Sequence, residues 1–213
     1  LYGYTAEPAD YRPAITDWIR THHGWEVRGE WIAYIPGIVK GIGLVIDRFV
    51  GKDEKVIIQP PVYHPFRLVP ERNGRQVVLN PLREHPGGGY SMDFDQLARV
   101  ADDRCRLLLL SNPHNPGGIV WDPETLRRLA AFCAARGILV VSYAIHCDMA
   151  LWSHRHTAFA SVCTASARSR RTFGPPTHPP PTRVTPPSPR PRPTQRPPPR
   201  IYYWPTPTTH PAL

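Results

Sequence analysis

No aspartate, glutamate or lysine occurs after Asp148 in this chain of 213 residues, and lysine stands only at positions 40, 52 and 55. No run of ~18 apolar residues is present, so no membrane-spanning helix is expected. A basic-then-apolar leader is also missing after Leu1, which argues against a secretory signal, and a leucine start leaves room for truncation. Cys105, Cys133, Cys147 and Cys163 show no C-x-x-C spacing. Three of them sit in or beside apolar segments, which suits buried thiols in a reducing compartment rather than a disulfide framework. A cytoplasmic location is the natural expectation.

Proline, by contrast, is in excess: there are 28, and 16 of them fall between Pro175 and Pro211. The formal charge of +9 has the same source. Residues 1–162 hold 18 basic against 17 acidic side chains, whereas the remainder has eight arginines and no acid. The chain is therefore two compositions joined end to end, a near-neutral globular segment over 1–162 and a disordered Pro/Arg-rich tail over 163–213. The basic balance thus says nothing about the folded part, and no specific nucleic-acid partner is expected. Overlapping P-x-x-P patterns with arginines over 186–200 have the composition of a polyproline II ligand for SH3-like grooves. A simpler reading is a basic tail with weak, salt-sensitive affinity for any polyanion.

Within the globular segment the apolar periodicity is informative. Ile15, Trp18 and Ile19 predict a helix over 11–21, stopped near Gly24. A short apolar stretch from Trp31 to Ile35 ends at Pro36-Gly37, and Ile38, Ile42, Val45, Ile46 and Phe49 then form one helical stripe over 38–50. Short apolar runs at 56–58 and 76–79 bracket a helix-compatible segment over 63–72, the order strand, helix, strand. A flexible loop is expected at Pro86 to Gly89 and a short helix over 94–100. Residues 106–110, Arg106 followed by four leucines, predict a buried strand opening into the loop Ser111 to Gly118. Asp122 and Gly137 frame an amphipathic helix over 123–136 as its N-cap and C′ residues, and 138–141 follows as another buried strand. Strands without alternation, separated by helices, imply an α/β fold with a mostly parallel sheet covered on both faces. Ligands bind such sheets at the carboxyl ends of the strands, which directs attention to 112–118 and to 142–148.

The sequence Ser111-Asn-Pro-His-Asn-Pro-Gly-Gly118 after a buried strand is the most specific pattern present. It resembles the N-P-x-N-P-x-G element of fold-type I pyridoxal-phosphate (PLP) enzymes. Collinear matches occur at Gly3-Tyr4-Thr5, 23–27, Pro36 to Val39, the segment Pro60-Pro-Val-Tyr-His-Pro-Phe66, Met92-Asp93-Phe94 and Ile145 to Asp148. Together they resemble part of the large domain of the class I/II aminotransferase family, closest to its cystathionine β-lyase-like members. The resemblance implies PLP as cofactor, an amino-acid substrate, a homodimer, and α,β-elimination to pyruvate, ammonia and a thiol, with transamination as the alternative chemistry. An interaction protein acting through the proline-rich tail is a further alternative.

The same resemblance assigns roles. Amides of Gly37, Ile38 and Val39 would receive the cofactor phosphate at a helix N-terminus. Tyr63 would stack on the pyridine, Asn115 would donate its amide to the phenolic oxygen, and His146 would offer a second hydrogen bond near that oxygen. Taken alone, these residues read as an ordinary helix start, a core tyrosine, a turn former and a packed histidine. Asp148, His154 and His156 invite a metal reading, yet no C-x-x-C pair or H-E-x-x-H helix accompanies them, so no metal site is expected.

Two departures from the family pattern bear on activity. The segment that should read D-E-I-H is Tyr143-Ala144-Ile145-His146, so Tyr143 stands where a carboxylate should meet the pyridine nitrogen. The cofactor-anchoring lysine belongs to an S-x-K motif well after D-E-I-H, whereas all three lysines precede it. No catalytic residue can therefore be named, and impaired or absent turnover is expected. Similarity ends near Ser161-Val162, and the abrupt shift to proline and arginine resembles a changed reading frame in GC-rich DNA. Translating the encoding DNA beyond codon 162 in the other two frames is expected to yield an S-x-K motif; absence of one in both frames overturns the frameshift reading.

Overall fold

A computed structural model describes residues 7–151 and 153–163. The tail assigned above to 163–213 lies outside the described residues except for Cys163. The elements in chain order are α1 (Tyr11–His23), α2 (Ile38–Phe49), β1 (Lys55–Ile58), α3 (Pro65–Arg72), β2 (Gln76–Leu79), β3 (Arg83–Glu84), β4 (Tyr90–Ser91), α4 (Phe94–Val100), β5 (Cys105–Ser111), α5 (Pro123–Arg136), β6 (Leu139–Tyr143) and α6 (Phe159–Cys163). Short 3-10 turns at Gly29–Trp31 and Cys147–Met149 complete the set.

Four strands form one sheet in the order β2-β1-β5-β6, and every neighbouring pair is parallel. Parallel pairing requires crossovers, and α3 and α5 supply the helices of two of them. The leucine run explains why the sheet is covered on both sides. Leu107 and Leu109 pack with Ile42, Ile46, Val50 and Phe66 from the α2 and α3 face. Leu108 and Leu110 point the other way, among Leu97, Leu126, Leu129 and Cys133 from α4 and α5. Val56 and Ile58 join the first cluster and Ile57 the second, so period-2 geometry sends consecutive apolar residues into two different cores.

Helix ends follow local chemistry. Asp122 accepts a hydrogen bond from the Thr125 amide at 2.9 Å and caps α5, whose opposite end closes on Gly137 at φ 65°. Asp93 caps α4 by accepting from Gln96 N. Helix α1 runs two residues past the expected Thr21, because the turn closes only where Gly24 adopts φ 61°. Helix α3 begins at Pro65 rather than at residue 63, since proline at N1 gives up no intrahelical bond.

Three expectations need correction. Only Ile42 and Ile46 of the α2 stripe are buried, while Ile38 and Phe49 are exposed, so the packed face is narrower than the sequence stripe. The loop Pro86 to Gly89 is the turn of an antiparallel pair, with Arg83 opposite Ser91 and Glu84 opposite Tyr90. Strand β6 extends through Ser142 and Tyr143, paired with Leu110 and Ser111, whereas the sequence placed those two residues beyond the strand. Pairing with the long β5 carries β6 two residues further than its apolar run.

Leu108 is fully buried in the middle of the central strand. Leu108→Ala removes a core side chain that the surrounding sheet cannot close over, and is expected to lower unfolding free energy by about 2–5 kcal/mol. A urea titration followed by far-UV circular dichroism measures it; a loss below about 1 kcal/mol would contradict the two-sided core.

Candidate cofactor site

The order β2-β1-β5-β6 reverses direction between β1 and β5, and a sheet of this kind opens a crevice at the carboxyl ends of the two strands flanking the reversal. Tyr63 lies on the loop after β1 and Asn115 on the loop after β5. The two loops are tied directly, since the Tyr63 amide donates to the Asn115 carbonyl at 3.0 Å. Within the second loop, Ser111 Oγ accepts from Asn115 N at 3.0 Å and donates to the Pro113 carbonyl at 3.2 Å. Trp121 Nε1 fixes the strand end by donating to Ser111 O at 2.9 Å. The Asn112 amide donates to Tyr143 O at 3.0 Å, which ties this loop to β6.

Asn115 and His146 face one cavity of about 320 Å³, also lined by His114, Met149, Leu151 and His154. A larger open hollow of about 490 Å³ lies along α1 and contains none of the motif residues. Tyr63 does not line the Asn115 cavity; its ring sits 5.9 Å from that of Tyr143, tilted 32°. Tyr143, 5% exposed, also packs edge-on to Phe66 at 5.4 Å and lies 6.5 Å from His146. Burial, with a smaller contribution from Tyr63, pushes the Tyr143 phenol above its ordinary value, so it is neutral near pH 7.

Gly37 opens α2 with φ 100°, a conformation that disfavours a side chain, and nothing approaches within 4 Å of where a Cβ would stand. No side chain caps this helix, so the first-turn amides, those of Ile38 and Val39 among them, keep their orphan donors. A connection of only residues 50–54 links the far end of α2 to the start of β1. Helix α2 packs on the sheet through Ile42 and Ile46. Lys40 is exposed in that first helical turn, Lys52 is exposed before β1, and Lys55 at the amino end of β1 pairs with Asp102.

The residues accordingly fit a PLP group in part. An uncapped helix start suits a phosphate, Tyr63 an aromatic face, and Asn115 with His146 a polar oxygen. The Tyr143 phenol does not fit the pyridine nitrogen as an anion, and burial keeps it neutral near pH 7.

Sequence reasoning overlooked what holds the loop after β6. Asp148 Oδ1 meets His23 Nε2 at 2.9 Å and accepts from Trp18 Nε1 at 3.2 Å, anchoring the loop to α1. The stretch 23–27 was visible only as a family match; the 125 residues separating His23 from Asp148 leave no spacing signal.

Comparison with known proteins accords with this geometry. The family model for aminotransferase class I and II matches residues 1–172, ten residues beyond the point where similarity was expected to end. The chain belongs to the class I and II aminotransferase family, which is PLP-dependent. Cystathionine beta-lyase PatB of Bacillus subtilis is 39% identical over 163 residues, and Protein MalY of Escherichia coli 30% identical over 164. Each alignment covers 76% of this chain but 42% of the relative, so the chain spans about two fifths of the length of these curated relatives. Among solved structures, the PLP-bound C-S lyase from Staphylococcus hominis superposes with TM-score 0.74 at 31% identity, covering 77% of this chain and 42% of that one. Cystalysin from Treponema denticola, which contains a pyridoxal 5'-phosphate cofactor, gives TM-score 0.73 at 29% identity, with 76% and 41% covered.

His114 provides a pH test of the loop. Burial pushes its imidazole below the ordinary value, and Nδ1 accepts from the Gly117 amide at 3.2 Å, so the folded loop requires the neutral ring. The unfolded chain takes up this proton as pH falls below ~6.5, so the stability involved is complete above that value and lost toward the depressed folded value. The urea midpoint should fall between about pH 7.5 and pH 5.5, and fall less in His114→Gln. Equal pH dependence in both proteins would remove His114 from the account.

Proposed function

We propose that residues 1–162 form part of the PLP-binding large domain of a carbon-sulfur β-lyase-type protein, competent to hold the cofactor without covalent attachment but not to complete elimination. The tie between the Tyr63 and Asn115 loops is the observation that carries this reading, because it holds together the two loops that bear the aromatic ring and the amide, with Asn115 lining the cavity and Tyr63 packed beside Tyr143. In this reading the Ile38 and Val39 amides, with Gly37 allowing close approach, take the phosphate. Tyr63 covers the ring, and Asn115 and His146 address the phenolic oxygen. PLP when bound supplies an electron sink for bonds at the amino-acid α-carbon.

The expected defect lies in the electronics. Without a carboxylate at position 143 the ring nitrogen loses a charge-assisted hydrogen bond, on the order of a few kcal/mol. Because 1.36 kcal/mol corresponds to tenfold in rate, a deficit of several hundredfold follows from this substitution alone, before the absent anchoring lysine is considered. Lyase chemistry on amino acids such as cystathionine or cysteine conjugates is favoured over transamination by the 39% identity to PatB, against 24% to aspartate aminotransferase of Sulfolobus acidocaldarius.

Homodimerisation and a cytoplasmic location belong to the same proposal. Exposed Trp31, Tyr34, Leu44 and Phe49 support an apolar contact surface, and the four free cysteines support a reducing compartment. No described helix is long and apolar enough to cross a membrane. The SH3-ligand reading concerns 186–200, outside the described residues.

Equilibrium dialysis of the full chain against PLP is expected to show about one bound cofactor per chain, with Asn115→Ala weakening retention by about tenfold or more. Borohydride treatment followed by peptide mapping should label no lysine, and cystathionine should yield no pyruvate above background. Stoichiometric labelling of Lys40, or sustained pyruvate formation, would overturn the proposal.

A further inference from the structure

Beside the proposed cofactor crevice, α1 and the turn after β6 bring three metal-ligating side chains together. His23 Nε2, Cys147 Sγ and a carboxylate oxygen of Asp148 lie within 4.8 Å of one another. The His23 side chain is 9% exposed and that of Asp148 50% exposed, so the group has a buried side and a side open to water. A second observation points to the same place. His156 is only 8% exposed, its Nδ1 has no hydrogen-bond partner, and its ring packs edge-on against His23 at 5.2 Å. A buried polar atom without a partner is costly, and a metal or its bound water would supply what this nitrogen lacks.

We propose that His23, Cys147 and Asp148 bind a divalent transition-metal ion, zinc above all, with water as the fourth ligand. Imidazole nitrogen, thiolate sulfur and carboxylate oxygen are the zinc donor set, and four-coordinate tetrahedral geometry accepts one of each. Calcium and magnesium prefer oxygen-only cages, which this mixed set is not. The charges also balance, since one thiolate and one carboxylate neutralise a divalent cation. Binding needs the donors to contract and the Cys147 thiol to release its proton to solvent; no electron is transferred. His23 exchanges its contact with Asp148 for the metal, and the carboxylate keeps the Trp18 indole as hydrogen-bond partner.

Cys147 follows His146 directly, so metal binding would clamp α1 to the segment that lines the Asn115 cavity. The site stands independently of the PLP reading, and its test needs no cofactor.

The full chain, purified with chelator and reductant, is titrated with zinc chloride by calorimetry and with cobalt chloride by absorption. One metal per chain is expected. Cobalt should give an intense thiolate-to-cobalt charge-transfer band together with visible bands of tetrahedral intensity. Cys147→Ser, a near-isosteric change, should abolish the charge-transfer band and weaken zinc binding by well over about tenfold, whereas Cys163→Ser should keep both. His23→Gln should weaken zinc equally, and if that variant unfolds, Cys147→Ser decides the matter. No stoichiometric binding overturns the proposal, leaving the cluster as an ion pair between α1 and the turn. Binding unchanged by Cys147→Ser does the same, by moving the metal elsewhere.

Discussion

A single backbone hydrogen bond, Tyr63 N to Asn115 O at 3.0 Å, joins the loops that leave β1 and β5. These adjacent parallel strands flank the reversal of strand order, so their loops diverge toward opposite sides of the sheet unless something holds them together. Once the tie is made, the Tyr63 and Asn115 loops hold fixed positions relative to one another. Ser111 reinforces it from below by accepting from Asn115 N, and Trp121 holds the Ser111 carbonyl. The recognisable motif is therefore the visible end of a stack of contacts resting on the buried leucines of β5.

Much of this is legible in the sequence because the residues concerned act locally. Asp122 caps through the amide three positions on, and Gly137 stops a helix by its own backbone; such signals lie within one turn of the chain. The unbroken apolar run at 107–110 announced a strand buried on both faces for the same reason. What escaped detection depended on partners distant in sequence. Strand β6 reaches Tyr143 because β5 is long enough to pair with it, and Phe49 is exposed because α3 and the sheet meet only the Ile42 side of α2. At the site, the loop containing Asn115 was legible as a motif, and Asn115 and His146 line one cavity. The contact between His23 and Asp148 has no local signature at all.

Position 143 shows how a fold outlasts the chemistry it surrounds. An aromatic side chain there is well received, with Phe66 and Tyr63 as neighbours and little exposure. Packing tolerates the change because a phenol is large and mostly apolar, and this pocket lies at the boundary of the α2 and α3 core. Electrostatics does not, since burial makes the phenol harder to ionise just where a negative charge would be needed. Structural likeness to PLP-bound enzymes and a neutral phenol at position 143 are thus compatible within one segment.

Helix α1 has no buried residue of its own and is held to the rest by Trp18 and His23 reaching Asp148. Closing that contact joins positions more than a hundred residues apart, an entropic cost that grows only slowly with separation but that is met only after the sheet exists to present Asp148. Helix α1 is consequently expected to dock late and open early, a local unit held by Trp18, His23 and the Arg12 guanidinium donating to Gly29 O at 2.8 Å rather than by the core. Order in the turn from Cys147 to Met149 then depends on a helix from the opposite end of the folded segment, so local opening at one terminus loosens the loop at the cavity.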